Sequence, residues 1–564
     1  MMKPESDHRL PPFVHMLRGY TRQTLRQDVM AGLSVGMIAV PLSMALAIGT
    51  GVPPQHGLYT AIVAGFLIAL LGGSRFNVSG PTAAFVVILQ PIVATFGLGG
   101  LLTASFLAGW VLILMGVLKL GRLVYWVPEP VISGFSTGIA VVIVVAQVPD
   151  FLGLPPPLSG AFMARIDAIV TQLAQGSAVD ATLGLLTLAG LLLWPLWRRH
   201  IPPHLAILTA SALLGAALTG LGWAPRTIAS VFAYSLEGVV YSGIPPMLPT
   251  LTWPWLAGEG STFVWTGRSL WALAPSVLTI AFLGAVESLL CAVVADGMTK
   301  TRHRPNAELV GQGLGNVVAP LFGGFAATGA LARTAANIRA GAKTPVAAMI
   351  HALFVLLSLL LLAPLLGHLP MASLAALLCL VAWHMANVTQ LRWLWRLAPW
   401  RDRGVWLLCF GSTVLFGMVV GVLAGLVLAA GLLGIQLLRL PSPQRGPSQR
   451  APYAFTGPLF FGVAQARLAA FEQRLAQEAD AGAVVLECTA LAFVDLTGLL
   501  ALQAFVEGLM KQGHVVVMVG LNSQVQASCR RARLAPEAQP RLYWVADGAE
   551  WRHLVPQQTS WIDE

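Results

Sequence analysis

Two short stretches, far apart in the chain, carry residue types able to hold an anion inside a membrane. Ser79-Gly80-Pro81-Thr82-Ala83 and Thr328-Gly329-Ala330-Leu331-Ala332 each interrupt an apolar run with a hydroxyl residue and a glycine, then continue in sequence fit for a helix. Backbone that leaves helical geometry in lipid loses hydrogen bonds it cannot recover there, so such breaks persist only where they are buried or line a polar cavity. A matched pair in two halves of a transporter aims helix N-termini, with their partial positive charge, at an anion near the bilayer midplane. Arg333 follows the second break closely, and its planar fork can hold a carboxylate through two parallel hydrogen bonds. The plainer reading of Arg333 is a side chain that snorkels to the cytoplasm with Arg339 and Lys343.

Glu287 stands mid-way along another apolar run, Ala285-Val286-Glu287-Ser288-Leu289-Leu290. A charge there costs ~2.5–3.5 kcal/mol on insertion scales, so it needs a partner or a role. Burial favours the protonated form of a carboxyl, which makes Glu287 a candidate for proton coupling or gating. Its alternative is a structural carboxyl bonded to a neighbouring helix. Ser79, Gly80 and Thr82 taken alone could be a packing kink, and the repetition at Thr328-Gly329 argues against that. Pro41 is a helix kink by default that could also widen a cavity; His351, Asn316 and Gln312 are of the type that cross-links helices. In the polar tail, Asp495-Leu496-Thr497-Gly498 fits a helix cap better than a ligand site. No zincin, P-loop or nucleophile-elbow pattern and no clustered His/Cys/Asp set is present, so no enzyme, cofactor or metal is expected.

The elements that position these residues are set by lipid. With 56% hydrophobic and 10% charged residues over 564, and a mean hydropathy of +0.74, the chain is far from soluble usage, in which about 25% of residues are charged. About fourteen spans follow from run length, at 31–50, 57–73, 79–96, 101–119, 129–147, 181–197, 203–222, 271–295, 308–325, 328–341, 345–366, 371–388, 405–419 and 421–439. The N-terminal stretch is polar and basic and lacks a signal-peptide pattern, which places it in the cytoplasm. Lys119, Arg122, Arg198, Arg199, Lys300, Arg302, Arg304, Arg339, Lys343, the arginines of 392–403, and Arg439 then all fall inside, and only Arg165, Arg226 and Arg268 outside. The net charge of +10 is therefore topological, and nucleic acid is not an expected partner. The breaks lie in the third and tenth spans, each third in a block of seven, and an odd block inverts the second copy. The five cysteines are scattered without metal spacing and read as free thiols.

After Leu440, Pro441 to Ser448 reads as a linker. Strands at Ala483–Leu486 and Val515–Val519 alternate with helices at 464–479 and 497–511, which is the pattern of a small α/β domain. The organisation expected is a transmembrane domain at 1–440, a linker at 441–452 and a cytoplasmic domain at 453–555.

Pro54-Gln55-His56-Gly57-Leu58-Tyr59-Thr60-Ala61, Gly72-Gly73-Ser74-Arg75 and Ser79-Gly80-Pro81-Thr82-Ala83 together resemble the signature of the sulfate permease (SulP) family of anion transporters, with His56 where an aromatic residue is usual. The tail resembles the STAS domain of such permeases. Within the family, Val40 to Gly49, Ala285 to Val294 and Glu308 to Asn316 are most similar to the bacterial C4-dicarboxylic acid transporters. The resemblance implies a polytopic helical protein of two inverted seven-segment repeats forming core and gate domains, a STAS domain in the cytoplasm, and a homodimer in the bacterial inner membrane. It places Pro41, Leu42, Ser79, Gly80, Glu287, Gly329, Ala332 and Arg333 around the substrate, and Thr82 joins them from its position in the first break. Leu42 stands where many members have glutamine, and Ala332 where a serine is usual, changes that an anion with an apolar carbon backbone tolerates best. Leu496 stands where related anti-sigma-factor antagonists have a phosphorylated serine, so that switch is not expected. The resulting expectation is proton-coupled import of succinate, fumarate and aspartate. Transport of sulfate or bicarbonate is the alternative, and a membrane-anchored scaffold recruiting cytosolic proteins through its STAS domain is a second.

Overall fold

In lipid a backbone satisfies its polar groups within one segment only as a helix, and the apolar runs of this chain accordingly fold as helices. The computed structural model describes residues 13, 19–121, 126–155, 162–197, 203–236, 239–257, 263–299, 301–438, 453–455, 457–475 and 483–546. The expected linker and the basic residues Arg122, Arg198, Arg199, Lys300 and Arg439 lie outside these. The first half runs α1 (Arg22–Thr50), α2 (Pro54–Leu71), β1 (Ser79–Gly80), α3 (Ala83–Val117), α4 (Glu129–Leu152), α5 (Phe162–Gln172), α6 (Ala178–Trp197), α7 (Pro203–Gly220), α8 (Ile228–Val231) and an antiparallel hairpin of β2 (Ala233–Leu236) and β3 (Val239–Ser242). The second half runs α9 (Gly267–Thr299), α10 (Pro305–Leu321), β4 (Thr328–Gly329), α11 (Leu331–Arg339), α12 (Val346–Leu366), α13 (Met371–Ala386), α14 (Val388–Leu397), α15 (Trp400–Phe416) and α16 (Met418–Leu438).

All fourteen expected spans fall on helices, with three differences of substance. The third and fourth form one hydrogen-bonded helix, α3, broken at Gly97, whose φ of 67° and ψ of −170° are open to glycine alone. The breaks themselves are extended strands rather than the first turns of helices, so α3 begins at Ala83 and α11 is only nine residues long. Helices α5 and α14 and the β2–β3 hairpin were not expected; their sequences are too polar or too short to register as spans. Among the described residues nine helical stretches are long and apolar enough to cross a membrane, one of them α13 and α14 taken together over Met371–Leu397, or ten if the bent pair at 162–194 is counted as one span.

The chain divides into two compact units: Met1–Val124, Ile139–Met385 and Val414–Met418 form one, and Tyr125–Gly138, Ala386–Thr413 and Val419–Glu564 the other. In the first, α3 packs most extensively on α10. Their backbones nearly touch, since a methyl group on Gly109 would stand 2.6 Å from Val317 N and one on Gly313 2.7 Å from Gly109 O.

The second unit contains the α/β domain. Its sheet is fully parallel in the order β5 (Tyr453–Ala454), β6 (Ala483–Glu487), β7 (Val515–Val519), β8 (Leu542–Val545). Helices α17 (Ala464–Leu475), α18 (Leu496–Lys511) and α19 (Ser523–Arg531) complete it. Phe455, Phe471 and Phe505 centre its core, and Leu394, Leu397 and Ala398, from α14 and the residue after it, belong to that same core. The five cysteines are free.

Candidate functional site

The two breaks meet. Ser79 pairs with Gly329 and Gly80 with Thr328 as a two-residue antiparallel ladder, buried within the first unit. The ladder satisfies backbone groups that the interrupted helices cannot, and each loop leading into it is pinned by side chains from other helices. Glu308, at the start of α10, accepts hydrogen bonds from Gly73 N at 2.8 Å, Ser74 N at 2.9 Å and Asn77 Nδ2 at 2.5 Å. The second loop is held by Thr60 of α2 on Phe325 N (2.8 Å), Ser105 of α3 on Ala326 N (3.0 Å) and Asn316 of α10 on Ala327 N (2.6 Å). Gln312 donates to Ala327 O. Asn316 and Gln312 thus fasten a loop rather than cross-link helices as expected, while the fully buried His351 bonds to no other helix among the described residues.

From the ladder, two helices set off without side-chain caps. Thr82 is the N-cap of α3, but its hydroxyl donates to Glu287 Oε2 at 3.1 Å and makes no bond to the helix start. Ala330 precedes α11 and has no side chain able to cap. The first-turn amides of both helices are therefore left without the acceptor an ordinary cap supplies. Ser288, next to Glu287, accepts from Gly329 N at 3.0 Å and lies 2.9 Å from Thr328 Oγ1, so α9 is tied to both breaks.

Arg333 does not snorkel. It is 2% exposed, and its Nη2 donates to Pro81 O at 2.6 Å. Nε and Nη1 have no hydrogen-bond partner among the described residues, and neither does the buried Ser79 Oγ. The guanidinium packs against Gly80, where a Cβ would stand 2.7 Å from Nη1, and the φ of 155° at this position also favours glycine. A buried cation with two free donors beside two uncapped helix starts is an arrangement suited to an oxyanion or carboxylate.

Ser79, Gly80, Thr82, Glu287, Gly329 and Arg333 are brought together by these contacts. Ala332 is exposed on α11 beside them. Pro41 lines a separate, mainly apolar cavity of about 340 Å³ with residues of α7 and α12, including Leu208, Thr209 and Phe354, and Leu42 is half-buried on the same helix. The residues that sequence reasoning passed over are Ser288, Thr328 as a side chain, and Glu308; the signal available for Glu308 was a carboxylate opening an apolar helix. In the tail, Asp495 caps α18 as expected, accepting from Gly498 N at 2.6 Å, and also takes Phe461 N at 3.0 Å.

Comparison with known proteins bears on the whole chain. The Sulfate permease family is matched over residues 25–408 and the STAS domain over 449–544. YvdB of Bacillus subtilis (strain 168), whose name assigns it provisionally to sulfate transport, is 36% identical over 91% of this chain and 94% of its own length. The bicarbonate transporter BicA of Picosynechococcus sp. is 28% identical over 92% of each chain. The sodium-independent sulfate anion transporter of Bos taurus is 27% identical over 91% of this chain and 86% of its own. Among solved structures, the transmembrane domain of a cyanobacterial BicA aligns with a TM-score of 0.61 at 28% identity, over 72% of this chain and 98% of that one. SLC26A9 aligns with a TM-score of 0.67 at 20% identity, over 94% and 90%, which speaks to the fold.

Proposed function

Because the chain belongs to the sulfate permease family and carries a STAS domain, it is a multi-pass membrane protein that transports small anions and is not an enzyme, and we propose that its cargo is an inorganic oxyanion of the sulfate or bicarbonate type. The observation that carries this reading is the Arg333 guanidinium, buried against the paired strands with Nε and Nη1 unpartnered. An oxyanion there accepts from the fork and from the first amides of α3 and α11, replacing its hydration shell with fixed donors. The names of the relatives support the inorganic anion, since they are given for sulfate and bicarbonate.

Glu287 sits one hydrogen bond from the start of α3 through Thr82. In this reading it takes up a proton with the anion, so that the pair crosses with less charge than the anion alone. Both termini lie in the cytoplasm of a bacterial-type inner membrane, on the strength of the basic residues at Lys119, Arg302, Arg304, Arg339 and Lys343. The working unit is a homodimer, and the STAS domain offers a surface to cytosolic proteins. A C4-dicarboxylate is the competing cargo, favoured by the apolar Leu42 and Ala332.

Purified protein in liposomes, given labelled sulfate, bicarbonate or succinate under an imposed pH gradient, separates these. Accumulation of sulfate or bicarbonate is expected, with that of sulfate faster from the acidic side. Uptake of succinate alone transfers the reading to dicarboxylates, and uptake of none of the three overturns it.

A further inference from the structure

A second cavity, of about 300 Å³, lies wholly within the other unit, where α15 starts and α16 ends. The membrane helices contribute apolar lining, Val405 from α15 and Ala429, Leu432 and Leu433 from α16. The rest of the lining is mixed: Arg401, Gln436 and, from α19 of the STAS domain, Gln524, Ser528 and Arg531 are polar, while Phe461, Phe493 and Val494 of that domain are apolar. We propose that this cavity holds an anionic phospholipid of the cytoplasmic leaflet, its phosphate between Arg401 and Arg531 and the upper part of its acyl chains along Leu432 and Leu433.

Three observations carry this. Neither guanidinium forms an ion pair among the described residues: Arg531 donates to Ser528 Oγ at 3.1 Å, and Arg401 lies over the Trp400 ring at 5.6 Å. The acidic side chains of the cavity are already engaged by backbone donors, Asp402 by Leu496 N at 3.2 Å and Asp495 by Gly498 N and Phe461 N. Finally, the neighbouring surface has the composition of a membrane interface. Trp400 is 75% exposed at the rim, and α14, whose Leu394 and Leu397 are buried in the STAS core, turns Arg392, Trp393 and Arg396 to the exposed side. Aromatic and basic residues on one face of a short helix favour the headgroup layer, and basic pockets at the cytoplasmic ends of membrane helices are where acidic headgroups lodge. A free phosphate ion would use the two arginines and leave the apolar lining residues without a partner, so a lipid fits the whole lining better.

The test uses the full chain, reconstituted in phosphatidylcholine with or without phosphatidylglycerol, extracted in detergent, and weighed by native mass spectrometry to count retained lipid. Wild type should retain phosphatidylglycerol in preference to phosphatidylcholine. Each arginine near an anionic headgroup is worth about five-fold in affinity, so Arg401→Gln with Arg531→Gln should lower that preference roughly thirty-fold. Arg401→Lys with Arg531→Lys should keep most of it, which separates a charge effect from misfolding, and Arg533→Gln, outside the cavity, should leave it unchanged. The proposal is overturned by equal retention in wild type and the double glutamine variant, by equal loss in the lysine variant, or by equal loss in Arg533→Gln. It is also overturned if millimolar inorganic phosphate displaces the lipid completely, which would assign the arginines to a free anion.

Discussion

Arg333 spends one nitrogen on Pro81 O and keeps two donors free in a buried setting, so its contribution to anion binding should be large and separable from folding. A hydrogen bond to a charged group contributes about 1.5–3 kcal/mol, and Arg333→Ala should weaken equilibrium binding of labelled substrate by roughly ten- to a hundred-fold or more, with Arg333→Lys recovering only part because it lacks the fork. Unchanged affinity in a monodisperse Arg333→Ala sample would remove this residue from the site. Glu287 is tested differently, because glutamine keeps an acceptor for the Thr82 hydroxyl while removing the titration. Glu287→Gln is expected to bind substrate and to lose most of the dependence of uptake on external pH. Identical pH profiles for wild type and variant liposomes would mark Glu287 as a structural carboxyl.

At the scale of elements, the start of α18 joins the STAS domain to the membrane part of its own unit. Leu496 N donates to Asp402, in the first turn of α15 ahead of the span, and Glu129 N, where α4 begins, donates to Thr497 Oγ1 at 3.0 Å. Burial pushes the Asp495 carboxyl up to about 7 and the Asp402 carboxyl up to about 6, the nearby Asp402 adding to the rise of Asp495 and backbone donors opposing both shifts. Arg401 also opposes the rise at Asp402. A carboxyl whose value is raised in the folded state binds a proton more readily folded than unfolded, so its contribution is complete below its unfolded value near 3.8 and is lost as pH rises through about 6 for Asp402 and about 7 for Asp495. Amide exchange at the start of α18 should therefore be slower at pH 5 than at pH 8, after correction for intrinsic exchange rates. Asp495→Asn, which still caps a helix, should flatten that difference. A pH profile as steep as wild type in the asparagine variant would show that Asp495 is not its source.

For the whole molecule, the proposed anion site and the STAS domain belong to different compact units. Deleting the chain after Leu440 is therefore expected to leave substrate binding in place. It should nevertheless lower the yield of folded protein, because Leu394 and Leu397 of α14, 4% and 2% exposed in the intact chain, lose the core that covers them. Burying a leucine side chain is worth about 1.5–3 kcal/mol, and replacing both leucines by serine in the truncated protein should restore yield measured by size-exclusion chromatography. A truncated protein that folds well but binds no substrate would show that the site has been misplaced.

Sequence alone was enough for the membrane class, the fourteen helical stretches, the paired breaks, the alternation of strand and helix in the tail and the cap at Asp495, since each follows from hydrophobic run length, local residue type or repetition. Lipid leaves the backbone few options, and short-range rules are then strong. What the tertiary structure decided were relations between residues far apart. The breaks pair as strands, Arg333 turns inward onto Gly80, Thr82 spends its hydroxyl on Glu287 instead of capping α3, and Glu308 holds a loop more than two hundred residues away in sequence. Pro41 and Leu42, named with the site from resemblance, are joined to it by none of these contacts, because the face a helix presents to its neighbours depends on packing that its own sequence does not encode. Helix α14 is the clearest case: its stretch reads as an arginine-rich connection between two spans, and only the folded STAS domain, contributed by the chain some sixty residues later, explains why its two leucines are buried.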